Sequence, residues 1–206
     1  MIIAVDGPTA SGKGTIAKAL AAHFGLPHLD TGLLYRAVGR QVFLSDGDPD
    51  KPEDALAATS FPDALLDDPH LRDEETGGLA SRVSVHPAVR QALYERQRSF
   101  AMQEGGAVLD GRDIGTVIAP EAAAKLFVTA SVEARAQRRF LEMRERGVHV
   151  TLLEIQDDLR RRDARDRSRA VAPLVPASDA MVIDTSALDR EEAIAAAIDA
   201  VKSRLE

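Results

Sequence analysis

The chain predicts an α/β fold: a parallel sheet with helices on both faces, carrying a phosphate-binding loop after its first strand. Three observations support this. Short apolar runs bounded by turn residues alternate with amphipathic stretches along most of the 206 residues. The first run, Met1 to Asp6, leads straight into Gly7-Pro8-Thr9-Ala10-Ser11-Gly12-Lys13-Gly14-Thr15. A helix-forming stretch, Ile16 to Ala22, follows at once. A strand, a glycine-rich turn and a helix N-terminus in that order make an anion site, because the turn's N–H groups and the helix's unpaired amides face the same point.

Lys13 adds a cation where the β and γ phosphates of a triphosphate would lie. The pattern G-x-x-x-x-G-K-[ST] is met except at Gly14, which stands where a hydroxyl residue usually touches Mg²⁺. A dinucleotide fingerprint, Gly12-x-Gly14-x-x-Ala17, is the rival reading, and it fails on spacing. In a dinucleotide fold the first glycine follows the strand almost at once and an acidic residue comes about 20 residues later. Gly12 instead lies six residues past Asp6, and Asp30 sits inside an Asp30-Thr31-Gly32 turn. Residues 7 to 15 are therefore read as holding a nucleoside triphosphate.

The remaining β-competent runs are His28-Leu29, Ala107 to Leu109, Lys125 to Thr129 and Met181 to Ile183. Ligands gather at the carboxyl ends of parallel strands, so the polar residues after each run are the first candidates for function. Helix patterns cover Gly14 to Phe24 with Gly25 as a stop, Pro87 to Gln103, Val132 to Arg146 ending at Gly147, about Thr151 to Arg167, and Arg190 to Leu205. Residues 45 to 78 are acidic, proline-broken loop text around a weak helix at Glu53 to Thr59, an excursion from the sheet.

Composition narrows the function. Net charge is −7, which argues against a sequence-independent grip on nucleic acid or an anionic membrane. There is no cysteine, and the five histidines lack metal-ligand spacing, so disulfides and a protein-held zinc are not expected. No apolar run approaches the roughly 18 residues needed to span a bilayer, and no targeting segment is read at the N-terminus. A cytoplasmic protein, with no nucleic-acid or membrane partner, is the expectation.

Chemistry concentrates in three further segments. On the helix after Thr151, the residues Ile155, Leu159, Arg162, Asp166 and Arg169 fall in a stripe about 80° wide at 100° per residue. The stripe turns from apolar to charged, and an inward Arg or Asp is costly unless a partner or ligand meets it. Solvated ion pairing accounts for Arg160, Arg161 and Arg167; Arg162, Asp166 and Arg169 are read as ligand-facing. Asp110-Gly111-Arg112-Asp113 closes the run at Ala107 to Leu109. Asp110 is placed either to hold Mg²⁺ through water or to cap the next helix, and Arg112 to clamp a phosphate. Asp30-Thr31-Gly32-x-x-Tyr35-Arg36 stands at the end of the second run, where Thr31 and Tyr35 are either ordinary cap and core residues or, with Arg36, the floor of a phosphate site. Ser81 and Arg90 bracket a helix entry at Val85-His86-Pro87 and alone say nothing.

Taken together, Gly-Pro-x-x-x-Gly-Lys-Gly-Thr, Asp30-Thr31-Gly32-x-x-Tyr35-Arg36, Asp110-Gly111-Arg112-Asp113-x-Gly115-Thr116 and Arg162-Asp163-x-Arg165-Asp166-x-x-Arg169-Ala170-x-x-Pro173-Leu174 resemble the bacterial cytidylate kinases over nearly the whole chain. The resemblance implies a single domain over residues 1 to 206: a five-stranded parallel core (about 1–40 and 100–206), a nucleoside-monophosphate-binding insertion (about 41–99) and a lid (about 140–154) with Gly147 as hinge. It implies transfer of a phosphoryl group from ATP to CMP or dCMP by a monomer. Gly7 to Thr15 would bind ATP, with Lys13, Arg112, Arg169 and Asp110 at the chemistry. Arg36, Arg112 and Arg169 would hold the acceptor phosphate beside Thr31 and Tyr35. Ser81, Arg90 and Asp113 would read the cytosine edge, and Arg162 with Asp166 the ribose. Mg²⁺ would ride on the nucleotide phosphates, with no direct protein ligand and Asp110 reaching it through water. The stretch from Phe61 to Gly78 is shorter than the strand-rich insertion of enterobacterial members, which thins the base-reading wall.

Alternatives are another small phosphate-loop kinase acting on UMP, AMP or shikimate, a guanine-nucleotide switch, or a non-catalytic binding module. The switch requires an Asn-Lys-x-Asp reader, which the chain lacks, and a silent module would be expected to lose Lys13 or the arginines, which are present.

Overall fold

In the computed structural model, which describes residues 1–205, five strands form one sheet: β1 (Ile2–Asp6), β2 (His28–Asp30), β3 (Ala107–Gly111), β4 (Ala124–Thr129) and β5 (Met181–Asp184). Their order is β2-β3-β1-β4-β5 and every pairing is parallel. Parallel neighbours need a crossover, and helices supply each one: α1 (Lys13–Phe24), α2 (Thr31–Leu44), α3 (Pro52–Ala57), α4 (Glu74–Val83), α5 (Pro87–Ala101), α6 (Val132–Glu145), α7 (Leu152–Ser168) and α8 (Arg190–Leu205). The expected parallel α/β sheet is thus the observed one. No helix among the described residues is long and apolar enough to cross a membrane.

Alternation along β1 builds both layers. Ile3 and Val5 point to one face, where they meet Ile16 and Leu20 of α1 and Ala193, Ala197 and Val201 of α8. Ala4 points to the other face and meets Leu109, Ile114, Ile118 and Ala101. The alanines at a spacing of four on α8 are what let that helix lie close to the sheet. Gly25 ends α1 in the left-handed conformation at φ 65°, as a glycine stop should.

Residues 45–78 correct the sequence reading in part. Residues 45–51 are loop, and the weak helix read at Glu53 to Thr59 is there as α3 and the 3₁₀ turn Ala58–Ser60 that follows it, but the rest is helical rather than loop: 3₁₀ turns at Asp63–Asp67 and Pro69–Arg72, and then α4. Pro52, Pro62 and Pro69 restart the chain at three of these five pieces, so no apolar period lasts a full window. Ala55, Ala58, Phe61, Leu65 and Leu71 nevertheless all enter one core with Leu34, Val38 and Val42 of α2. Helix α2, absent from the sequence-read helices, crosses the expected boundary near residue 40, while α5 crosses the one near 99.

Helices α6 and α7 form a hairpin over a small separate core of Ala136, Met143, Ile155 and Leu159. Gly147 turns the connection at φ 74°, and a capping box between Thr151 and Glu154 restarts the chain as helix.

Gly39 of α2 carries the close approach of α2 and α4. A Cβ there would lie 2.8 Å from Leu79 Cβ and 2.9 Å from the Ala80 nitrogen. Gly39→Ala should cost about 1–3 kcal/mol in urea unfolding. Gly78→Ala, in the same helix pair but with open space around it, should instead stabilise by about 0.5–1 kcal/mol.

Candidate functional site

The carboxyl ends of β1 and β3 lie side by side, with Asp6 paired in register to Gly111, and the loops that leave them form the site. After β1 the chain makes the turn of residues 7–12 using positive φ at Gly7 (156°), Ala10 (61°) and Gly12 (88°). A Cβ at Gly7 would be driven into the Val128 carbonyl of β4, so the loop must cross the sheet end as bare backbone. The loop is tied down from three sides. Thr185 Oγ1 donates to the Ser11 carbonyl at 3.1 Å, Arg135 Nη1 to the Thr9 carbonyl at 3.1 Å, and Arg112 Nη2 to Thr9 Oγ1 at 2.7 Å. Arg135 is itself fixed by Asp163 of α7 at 2.6 Å, a buried pair that joins α6 to α7.

Asp6 joins the two loops. Its carboxylate oxygens accept the N–H groups of Ile114 and Gly115, both at 2.8 Å, and so hold the turn that begins at Arg112 and Asp113. The side chain is buried, and loss of hydration raises its pKa to about 7. The two N–H bonds and Arg112 oppose that rise, and the Asp113 charge adds to it.

Lys13 begins α1 half-buried, its Nζ 3.4 Å from the Pro8 carbonyl. Lost hydration, with repulsion from Arg112, lowers its pKa to about 8, against the pull of Asp110, Asp30 and Asp166. An anion beside it would restore the full charge. Asp110 lies within β3, not at a helix start, so the capping alternative is set aside. Its Oδ1 meets His28 Nε2 at 2.7 Å, and its carbonyl accepts the Thr31 hydroxyl at 2.8 Å. Its Oδ2 lies 3.8 Å from where a Gly14 Cβ would stand, so glycine there is no steric necessity.

Opposite the loop lies a cleft of about 270 Å³. Every residue read from the sequence as acceptor-binding lines it: Thr31, Tyr35, Arg36, Ser81, Arg90, Arg112, Asp113, Arg162, Asp166 and Arg169. Arg90 is paired with Asp113 and lies 5.5 Å over the Tyr35 ring. Arg112 Nε meets Asp166 at 2.9 Å. Burial would raise the Asp166 pKa, but Arg112, Arg169 and Arg162 outweigh it and lower it, so Asp166 stays a carboxylate. Arg162 Nη1 meets Glu74 at 2.8 Å, and Arg139 meets the same carboxylate. Gly77 gives both neighbours room: a Cβ there would sit 2.8 Å from Arg36 Nη2 and 3.2 Å from Arg162 Nη2.

These pairs leave a charge surplus. Among the described residues, Lys13, Arg36 and Arg169 bond only carbonyl oxygens: Pro8, then Leu71 and Asp73, then Asp166. Burial and the nearby Arg162 lower the Arg36 pKa to about 10, which leaves it cationic at neutral pH. Among the described residues, Arg169 Nη2 and Arg162 Nε are buried without partners. Such a set is completed by an anion that takes several guanidinium bonds at once, as a phosphate does.

One sequence expectation holds for a different reason. Arg169 enters the cleft, yet α7 ends at Ser168, so the helical stripe extends only to Asp166 and an extended turn at φ −57°, ψ 133° aims Arg169. Arg160, Arg161 and Arg167 are exposed, as read. Sequence reasoning missed Glu74, Gly77, Arg139 and Glu142 on this cleft. The angular test used on α7 would have found two of them, since Val132, Arg135, Arg139 and Glu142 also fall within about 80° of arc. It also missed a second cleft of about 350 Å³ on the outer side of the loop, between Ser11, Gly12, Thr15, Ile16, Arg138, Thr185, Leu188 and the start of α8.

A sequence model of the cytidylate kinase family matches residues 3–203. A protein named cytidylate kinase from Xanthobacter autotrophicus is 55% identical over 204 residues, covering 99% of this chain and 98% of its own length. One of the same name from Methylocella silvestris is 56% identical over 204 residues, covering 98% of this chain and 94% of its own. An uncharacterized protein from Eubacterium ventriosum, known by crystal structure, superposes with TM-score 0.57 at 16% identity over 98% of this chain and 99% of its own, a likeness of fold.

The Asp6 clamp has a measurable pH signature. Its folded pKa, near 7, lies above the ordinary 3.8, so its contribution to stability is fully present below about pH 4 and is lost as pH rises towards 7. Urea unfolding of wild type and Asp6→Asn at pH 5 and pH 7.5 should show wild type losing ground to the variant at the higher pH. An equal difference at both pH values would mean Asp6 titrates normally.

Proposed function

The chain belongs to the cytidylate kinase family, and from that premise we propose that it transfers the γ-phosphoryl group of ATP to CMP or dCMP, releasing ADP and CDP or dCDP, within pyrimidine nucleotide metabolism. The observation that carries this reading is the cleft itself. Three cations without carboxylate partners, Lys13, Arg36 and Arg169, share it with Ser81, Arg90 and Asp113. The first set suits phosphates, and the second offers the donors and acceptors that a base edge needs.

ATP lies with its phosphates in the turn of residues 7–15, where the backbone N–H groups and the N-terminus of α1 face them. The outer cleft, with Ile16, Leu188 and Ala193 as apolar walls, takes the adenine end. The acceptor's phosphate is held by Arg36, Arg112 and Arg169, over the floor of Thr31 and Tyr35. Its ribose meets Arg162 and Asp166, and its base meets Ser81, Arg90 and Asp113. An oxygen of the acceptor phosphate then attacks the γ-phosphorus, the bond from that phosphorus to the β–γ bridging oxygen breaks, and the electron pair leaves with ADP. The protein supplies position and charge rather than a base: Lys13, Arg112 and Arg169 balance negative charge as it moves.

The residues present fit Mg²⁺ that arrives with ATP. No group of three or more metal-ligating side chains exists among the described residues, and Asp110 turns one carboxylate oxygen toward Gly14 and the loop. Mg²⁺ neutralises phosphate charge when bound, and Asp110 would steady its water shell. The tip of the α6–α7 hairpin, about residues 140–154 and turned at Gly147, serves as the lid over the transferred group. The working unit is a cytoplasmic monomer.

ADP release with ATP and Mg²⁺ should follow addition of CMP or dCMP, with UMP, AMP and shikimate far weaker. No turnover of either cytidylate overturns the reading. Arg169→Lys keeps the charge and loses the fork, and should lower kcat about 10–100-fold without moving the melting curve; near-normal kinetics would remove Arg169 from the chemistry. Asp110→Asn should weaken activity and raise the Mg²⁺ concentration required; unchanged Mg²⁺ dependence would dismiss its role.

A further inference from the structure

Arg112 meets groups on three sides. Its Nε donates to Asp166 Oδ2 at 2.9 Å, its Nη2 to Thr9 Oγ1 at 2.7 Å, and its Nη1 to the Gly111 carbonyl at 3.4 Å. A guanidinium carries five N–H groups, one on Nε and two on each terminal nitrogen. One on Nη1 and one on Nη2 therefore remain, and such a pair takes two oxygens of one phosphate. Arg112 lines the cleft and is only half-buried, so a ligand can reach them.

Asp166 by itself would aim this fork elsewhere. Its Oδ1 accepts no hydrogen bond among the described residues, and a guanidinium beside a carboxylate favours two parallel bonds, one to each oxygen. Nη2 carries an N–H parallel to that of Nε, so it is the nitrogen that would close such a pair. A single bond through Nε also leaves the guanidinium plane free to turn about that N–H axis. Thr9 Oγ1 takes Nη2 instead. Bonds from two nitrogens to two separate elements, α7 and the donor loop, fix both the place and the tilt of the plane, and they leave Asp166 Oδ1 for a sugar hydroxyl.

An anchor must itself be held, and Thr9 is. Its carbonyl accepts Arg135 Nη1 at 3.1 Å, and buried Arg135 is locked by both oxygens of Asp163, at 3.1 and 2.6 Å. A loop of this kind grips phosphate through backbone N–H groups, which leaves the Thr9 side chain outside that task. We propose that the Thr9 hydroxyl is a positioning group for the acceptor phosphate: it draws Arg112 Nη2 away from Asp166 and so presents the remaining N–H pair to that phosphate. This inference rests on the acceptor-site reading above. It makes one side chain of the donor loop part of the acceptor site, acting through Arg112.

The test is the Kd of CMP, read by calorimetry without a phosphoryl donor, beside the Kd of ADP as a probe of the loop. Thr9→Val keeps the branched shape and removes the hydroxyl. It should weaken CMP binding about tenfold, equivalent to about 1.4 kcal/mol, with the Kd of ADP and the melting temperature unchanged. Thr9→Ser keeps the hydroxyl and should bind CMP close to wild type. Arg112→Met should also weaken CMP, and adding Thr9→Val to it should weaken CMP no further, since the two act through one guanidinium. CMP binding unchanged in Thr9→Val, a Ser variant as weak as the Val variant, equal weakening of CMP and ADP, or additive losses in the double variant would each overturn the inference while leaving the kinase reading intact. Wild type that does not bind CMP would overturn both.

Discussion

The interaction on which the site depends is the pair of hydrogen bonds that Asp6 accepts from Ile114 and Gly115. A parallel sheet delivers β1 and β3 to the same edge, but it does not dictate how the loops leaving them sit. Asp6 is the last residue of β1, one step before the phosphate loop, and its two partners come one and two residues after Asp113. One carboxylate thereby sets the donor loop against the turn that carries Arg112 and Asp113. The geometry is held at a cost in solvation, seen in the raised pKa of Asp6. A carboxyl group kept in so dry a place serves positioning rather than stability.

From that edge outward, charge pairing sorts the arginines by function. Arg135 is spent on Asp163, Arg90 on Asp113, and Arg162 and Arg139 on Glu74. Arg112 divides its fork between Asp166 and Thr9, so it links the far wall to the donor loop. Among the described residues, Arg36 and Arg169 are left with carbonyls alone. A carbonyl satisfies an N–H but does not neutralise a cation, and the field remaining in the cleft suits a phosphate ester. Selection of an anion thus follows from which arginines lack a carboxylate, not from how many arginines there are.

Much of this was legible in the chain. Strand β1, the glycine positions of the loop and the stop at Gly25 are local signals: each depends on a few neighbours and on backbone sterics, and each appears where expected. The charged stripe on α7 was readable because helical period is also local, and Arg162 and Asp166 are buried together as that period requires. Beyond the weak helix at Glu53 to Thr59, residues 61–78 were not readable as helical. Their apolar side chains are separated by prolines, and the turns they form are held by packing on α2 rather than by their own periodicity. Glu74 was invisible for a similar reason, since one glutamate in an acidic stretch acquires meaning only when α6 and α7 bring arginines to it.

By itself the sequence determined the fold class, the phosphate loop and most of the cleft's side chains, because strand alternation, helix period and glycine's freedom at positive φ operate within a few residues. Only the tertiary structure decided which of those side chains pair with each other and which stay available. Thr9 and Asp166 share Arg112 across 103 and 54 residues of chain, and Ser81 meets Arg165 across 84. Whether a buried charge is neutralised depends on neighbours that the sheet and the helix packing bring together from distant parts of the chain.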